Sequence, residues 1–367
     1  MSARRPVSHA KRAPDGPAAS ARPSVEGDAA DINKRSVVVD LHHDIAEDVI
    51  RRRQSGEEDV LRRIWLPRLK KAGIKVQVFP IFIDSGFLPE MALRRELAMI
   101  HYLLEEFEQN SAEIVLARSF EDIQAGLDSH KLVAVLALEG AEAIDAELTV
   151  LGILHRLGVR MASLTWNRRT LFADGADARN GTAGLTKVGA ELVRRMEKLK
   201  ILVDVSHLSD ASFWSLLDTA QRPVIASHSN ARALCDHPRN LTDDQCQVIG
   251  ERGGVIGIFI HPAVIDPSNP TISRVVDHII YLADLIGIDG VAIGTDFIAD
   301  LSGIDQTPTQ EWMMPPELAH STIAGLAETP DLPNLTDELL RRGFSSEDIR
   351  KVLGENALRV FRQAWSS

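Results

Sequence analysis

The chain has 367 residues, 44% hydrophobic and 5% aromatic, and a net charge of -11; that length can bury a full core as one large barrel or as two ordinary domains. An acidic surface argues against nucleic acids and other polyanions as partners, and no run approaches the roughly 20 apolar residues that span a bilayer. Cys235 and Cys246 lie outside any CxxC spacing, so they suggest no disulfide framework, and a cytoplasmic location fits best.

Residues 1–35 are rich in Ala, Pro, Ser and Arg and read as a disordered basic tail. Asp15, Glu26, Asp28 and Asp31 argue against a transit peptide, and no apolar run is present to serve as a signal-peptide core. Residues 36–367 read as one domain. Short runs rich in Val and Ile alternate there with longer amphipathic segments, the pattern of parallel strands joined by crossover helices.

The predicted strands are Ser36–Leu41, Lys75–Ile83, Leu132–Leu138, Arg160–Thr165, Ile201–Val205, Pro223–Ser227, Val255–Ile260 and Val291–Thr295. Helices are predicted over Met91–Gln109, Thr186–Leu199, Asp210–Thr219, Thr242–Arg252 and Ser273–Ile286. Asp210 and Thr242 are candidate caps, and Gly287 is a stop. Eight strand-and-helix units imply an α/β fold, a (β/α)8 TIM barrel, with a C-terminal helical extension over Leu335–Phe361 in which Ser345 or Ser346 caps a helix from Glu347 to Val360. An open doubly wound sheet is the runner-up, weakened because no GxGxxG loop follows the first strand. Two long connections, Asn167–Leu185 and Ile298–His320, suit loops that cover a substrate.

The strand ends carry the chemistry. His42 and Asp44 project to the same side, so one metal can take both. Glu139 ends the apolar run Leu132–Leu138, where an ionised carboxylate needs a cation: a metal, for which its two oxygens make it the candidate bridge, or an arginine. His207 and His228 close successive strands at matching places, which favours ligands over hydrogen-bonded structural histidines. Five ligands satisfy two metals, which leaves Asp296 as the acid or base, with a helix cap or a sixth ligand as alternatives.

The stretch Leu202–Asn240, with VDVSHLSDASFW and PVIASHSNARALCDHPRN, resembles the membrane (renal) dipeptidase family of the metal-dependent amidohydrolase superfamily, and the likeness runs from about Val37 to Phe361. The resemblance implies two zinc ions per chain, one on His42 and Asp44, the other on His207 and His228, with Glu139 bridging. It also implies that Asp296 moves the proton, that Arg239 pairs with the terminal carboxylate of the substrate, and that the protein is a homodimer. The reaction so implied is hydrolysis of a dipeptide by a metal-bridging hydroxide, with tolerance of a C-terminal D-residue.

Two residues depart from the pattern. Trp166 stands where the animal enzymes have a substrate-binding histidine, and an indole can donate one hydrogen bond but cannot accept one. His43 stands where asparagine is usual, and reads as a residue behind the ligands or facing solvent. Trp166 keeps open a related activity on another small amide, an N-acyl amino acid or a lactone. A non-catalytic barrel protein is a third reading, opposed by the full ligand series.

Overall fold

Parallel strands buried on both faces must bring their C-terminal ends to one side of the sheet, and the computed structural model, which describes residues 28–178, 183–297, 300, 318 and 321–366, does so. The strands are β1 (Val38–Asp40), β2 (Ile74–Phe82), β3 (Ile114–Leu116), β4 (Leu132–Glu139), β5 (Val159–Ser163), β6 (Leu202–Asp204), β7 (Ile256–Ile258) and β8 (Val291–Ile293). All ladders are parallel, in the order β1-β2-β4-β5-β6 and separately β7-β8.

Two irregular joints close the ring. Between β6 and β7 the predicted strand Pro223–Ser227 is reduced to single bridges, Asp204 with Ile225 and Ala226 with Ile256. Backbone bonds still join it to both neighbours, Ile225 to Val203 and Val205 and Ala226 to Val255 and Gly257, and side chains extend the first joint: Asp204 Oδ1 accepts the Ser227 N–H at 3.0 Å, and Asp204 Oδ2 accepts the Ser227 hydroxyl. Between β8 and β1, Leu41 N–H donates to Ile293 O and Asp296 N–H to His42 O, both at 2.9 Å. Asp40 fastens the same seam by accepting the Thr295 N–H at 2.8 Å and its hydroxyl at 2.7 Å. The result is a TIM-barrel-type fold.

β3 was not predicted. Three residues carry too little alternation to stand out; it pairs with Leu132–Ala134 at the start of β4, while β5 pairs with Leu136–Leu138 further along.

Side chains on the strands alternate between two apolar clusters, as a period of two requires. Val76 and Val78 of β2 and Val133, Val135 and Ala137 of β4 pack with Met161, Ile225, Ala292, Val360 and Phe361. Phe79, Ile81, Ala134, Leu136 and Leu138 instead join the larger cluster that includes the surrounding helices, where Phe79 meets Phe107 edge to face.

The predicted helices form with small shifts: Ala92–Gln109, Lys187–Lys198, Asp243–Glu251 capped by Thr242, and Ile272–Ile286 ended by Gly287. Ser209, not Asp210, caps Asp210–Thr219, because Asp210 turns outward to Arg232 and Gln245. The predicted helix from Glu347 to Val360 is broken. Ser345 caps Ser346–Arg350, a wider turn spans Lys351–Glu355, and the last helix is Asn356–Trp365. The break falls at Gly354, whose φ of 178° is extended and where a Cβ would lie 1.9 Å from Val37 O. Only glycine lets the chain approach β1 so closely.

That last helix seals one end of the barrel. Asn356 donates to Ile288 O and Val291 O, and Arg359 to Gly253 O, all just before or at the start of β7 and β8. The opposite end, where the strands finish, is left for chemistry.

The tail reading is corrected at its C-terminal boundary. Asp28 caps a helix over Ala29–Arg35, Ile32 is buried, and Asn33 Oδ1 accepts the Thr336 hydroxyl at 2.6 Å. Two apolar residues, Ala29 and Ile32, anchoring one face were too faint a signal in so polar a stretch. Residues 1–27, and most of Ile298–His320, lie outside the described residues, as do 179–182 of the other long connection. Among the described residues no helix is long and apolar enough to cross a membrane.

Candidate active site

The strand ends deliver their polar residues to one place. His42 follows β1, Glu139 ends β4, His207 and His228 follow β6 and the bridge at Ile225, and Asp296 follows β8. Three overlapping groups have ligand atoms mutually within 4.8 Å: His42, Asp44 and Glu139; Glu139, His207 and His228; and His42, His228 and Asp296. All six predicted metal and acid-base positions are therefore neighbours, although they span more than 250 residues of sequence. His207 and Asp296 have φ of 69° and 46°, a left-handed conformation that costs a non-glycine residue ~1–3 kcal/mol and recurs at sites where geometry outranks stability.

Glu139 faces both ways. Its Oε2 lies 3.5 Å from His42 Nε2, which is itself 3.7 Å from Asp44 Oδ1. Its Oε1 lies 2.8 Å from His207 Nε2 and 3.7 Å from His228 Nε2.

The residues behind the histidines fix their tautomers. Asn167 Oδ1 accepts from His207 Nδ1 at 2.7 Å. Ser227 gives its hydroxyl proton to Asp204, so the same oxygen accepts from His228 Nδ1 at 2.8 Å. With both Nδ1 atoms protonated, both Nε2 atoms present lone pairs, and these converge at 2.8 Å. Two lone pairs so close, beside a carboxylate oxygen, repel one another and favour a bound cation. His42 Nε2, Asp44 Oδ1 and Asp296 Oδ1 are buried without a hydrogen-bond partner. The donor set of imidazole nitrogens and carboxylate oxygens fits zinc and similar divalent ions.

The electrostatics repeat the demand for positive charge. Burial disfavours a charged His42, yet Glu139, Asp296 and Asp44 outweigh it and raise its pKa to about 10. Burial, reinforced by Glu139 and Asp296, raises Asp44. His207 and His228 are pushed down, His207 to about 3, by burial and by the neighbouring Arg239 and His42 charges. Burial lifts Asp296 to about 6, opposed by His42 and assisted by Glu139.

Arg239 borders this cluster. It is buried, donates from Nη2 to His228 O at 3.1 Å, and sits over the Phe259 ring at 5.7 Å. Burial lowers its pKa to about 10, with Glu139 and Asp296 acting the other way. The half-buried Trp166 lies 6.0 Å from the His207 ring and 5.0 Å from Phe82. His43 points away from the ligands: its Nε2 meets Asp300 Oδ2 and Thr329 Oγ1, both at 3.1 Å, and its ring packs on Trp65.

Asp204, Ser227 and Asn167 were missed in the sequence. An aspartate inside the apolar run of Ile201–Val205 was a usable signal, since a buried carboxylate must have partners. Nothing in sequence singled out Asn167.

A sequence model of the membrane dipeptidase family, peptidase family M19, matches residues 27–366. Dipeptidase tcpJ of Claviceps purpurea is 31% identical over 317 residues, covering 83% of this chain and 70% of that protein. Human dipeptidase 3 is 28% identical over 351 residues, 92% of this chain and 67% of its own. Among solved structures, a metallopeptidase from Rhodobacter sphaeroides liganded with a phosphinate mimic of the dipeptide L-Ala-D-Ala superposes with a TM-score of 0.79 at 25% identity, covering 90% of this chain and all of that one. The chain belongs to the membrane dipeptidase family, peptidase family M19, and is accordingly a metal-dependent hydrolase of peptide bonds.

Proposed function

We propose that the protein is a binuclear zinc dipeptidase. The observation that carries this reading is the two-sided Glu139, with His42 and Asp44 at one oxygen and His207 and His228 at the other. On this reading His42 and Asp44 hold one ion, His207 and His228 the second, and Glu139 both. When bound, such ions polarise a carbonyl and make water a competent nucleophile near neutral pH.

The chain's own groups do the rest. Asp296 takes the proton of the attacking water at its unpartnered Oδ1 and returns it to the leaving nitrogen, a task suited to a carboxylate whose pKa burial has raised. Arg239 keeps its charge despite burial and offers a planar fork to the free carboxylate of the C-terminal residue. Substrates lacking that carboxylate would leave the guanidinium unpaired, at a cost in affinity. The Rhodobacter relative's L-Ala-D-Ala mimic supports acceptance of a C-terminal D-residue here.

The test is turnover of L-Ala-L-Ala and L-Ala-D-Ala against N-acetyl-L-alanine and a lactone by zinc-loaded protein, with the metal counted by elemental analysis. Two zinc ions per chain and dipeptide hydrolysis are expected. Turnover of the acylated amino acid or lactone with none of either dipeptide would overturn the reading.

A further inference from the structure

Arg168 turns both terminal nitrogens of its guanidinium onto the protein. Its Nη1 donates to Ser85 Oγ at 3.1 Å, and its Nη2 donates to Ile83 O and pairs with Glu142 Oε1 at 3.0 Å. It therefore joins the segments following β2, β4 and β5. The same guanidinium lies 5.2 Å from the Trp166 ring centre and 5.6 Å from that of Phe82, within range for a cation to be held against an aromatic face. The two rings are 5.0 Å apart and tilted by 52°. Arg168 thus fixes the pair with both terminal nitrogens held by Ser85, Ile83 and Glu142 and its charge paired with Glu142, although its buried Nε has no hydrogen-bond partner.

The pair borders the ligands at His207. Trp166 lies beside His207, whereas Arg239 lies against Phe259, which packs edge-on against His228. On the dipeptidase reading, a substrate whose carboxylate is at Arg239 and whose amide is at the ligands extends its amino-terminal residue toward Trp166 and Phe82. We propose that Arg168 is a positioning residue that holds Trp166 and Phe82 as an aromatic wall, selecting dipeptides with an apolar amino-terminal side chain. Phe and Leu gain contact area on such a wall, and Asp loses solvation there without finding a free cation.

This inference rests on the dipeptidase reading, and a ratio separates the two. In the zinc-loaded full chain, kcat/KM for Phe-Ala and Leu-Ala is expected to exceed that for Gly-Ala and Asp-Ala by about 10-fold or more, the range an apolar pocket provides. Arg168→Ala should shrink the Phe-Ala to Gly-Ala ratio to about 3-fold or less, through KM rather than kcat. Arg168→Lys, which keeps the charge but loses the planar stack, should fall between. Near-UV circular dichroism, compared with Trp166→Phe, should show loss of the ordered Trp166 signal in Arg168→Ala. Thermal melts identify any variant that has merely unfolded, and in that case the wild-type and Arg168→Lys ratios decide. Turnover of all four dipeptides without ranking by side chain, preference for Asp-Ala, or a uniform loss in Arg168→Ala would overturn the wall and leave the dipeptidase reading standing. No turnover of any dipeptide would overturn both.

Discussion

Ser227 donates twice to Asp204, from its backbone N–H at 3.0 Å and from its hydroxyl. One carboxylate thereby performs two tasks. It reinforces the short joint that links β6 to the segment before β7, and it turns the Ser227 oxygen into an acceptor for His228 Nδ1. Barrel closure and the orientation of a ligand histidine share one residue, so stability and metal affinity should move together when it is changed.

Replacing Asp204 with Asn tests that link. The amide keeps the size but offers one oxygen where the carboxylate offered two, so either the Ser227 N–H or its hydroxyl is left with a donor facing it. A buried group without its partner costs ~1–3 kcal/mol, and loss of a residue behind a metal ligand typically costs ~10–100-fold in metal affinity. Competition with a zinc chelator and denaturant unfolding measure the two effects. A variant that loses stability while binding zinc with unchanged affinity would show that Asp204 serves the barrel alone.

A second prediction concerns pH. Glu96 is buried on the helix Ala92–Gln109, its Oε1 has no hydrogen-bond partner, and burial, with Glu142 nearby, pushes its pKa up to about 8 from 4.5. The folded chain keeps this carboxyl neutral up to about pH 8, whereas the unfolded chain releases the proton near pH 4.5. The contribution is sign-definite: stability is full below the unfolded value and falls as pH rises toward the folded one, by up to ~1.4 kcal/mol per pH unit. Glu96→Gln removes the ionisation. Its stability relative to the parent should rise steadily between pH 5 and pH 8, measured by urea unfolding, and parallel pH curves for the two proteins would contradict this assignment.

Asp296 carries two possible roles that one variant separates. With an unpartnered Oδ1 and a place among His42 and His228, it can move a proton or hold an ion. Asp296→Asn should lower kcat by about 10²–10⁴-fold, the usual worth of general acid-base catalysis, while zinc content stays at the parent level. Loss of zinc in step with loss of activity would make Asp296 a ligand instead.

The legible part of this molecule was its strand-end chemistry. His42, Asp44, Glu139, His207, His228 and Asp296 each close an apolar run, and burial of a charged or ligating group at a strand end is visible one residue at a time. Less legible were features that depend on contacts between distant segments. The stretch Pro223–Ser227 has the composition of a strand, yet it pairs only at Ile225 and Ala226, where backbone bonds to Val203, Val205, Val255 and Gly257 are supplemented by Asp204. Gly354 interrupts a helix that local pattern continues, because its reason is the backbone of Val37. Arg168 reads locally as a solvated loop residue, and only the fold brings Glu142, Ser85 and Trp166 around it.

Arg239 supplies the last prediction. Among the described residues its guanidinium has one hydrogen bond, to His228 O, and is braced on Phe259, an arrangement in which its other donors can meet a carboxylate while the side chain stays in place. A hydrogen bond to a charged group is worth ~1.5–3 kcal/mol, equivalent to about 10–150-fold in an equilibrium constant. Arg239→Met keeps the buried aliphatic stem and removes the fork. For L-Ala-L-Ala, kcat/KM should fall within that range, with KM carrying most of the change, because the carboxylate is bound equally in the ground and transition states. For L-Ala-L-Ala amide, which has no carboxylate to lose, the variant and the parent should differ far less. Equal losses on the acid and the amide would show that Arg239 supports His228 through its carbonyl and takes no part in selecting the substrate.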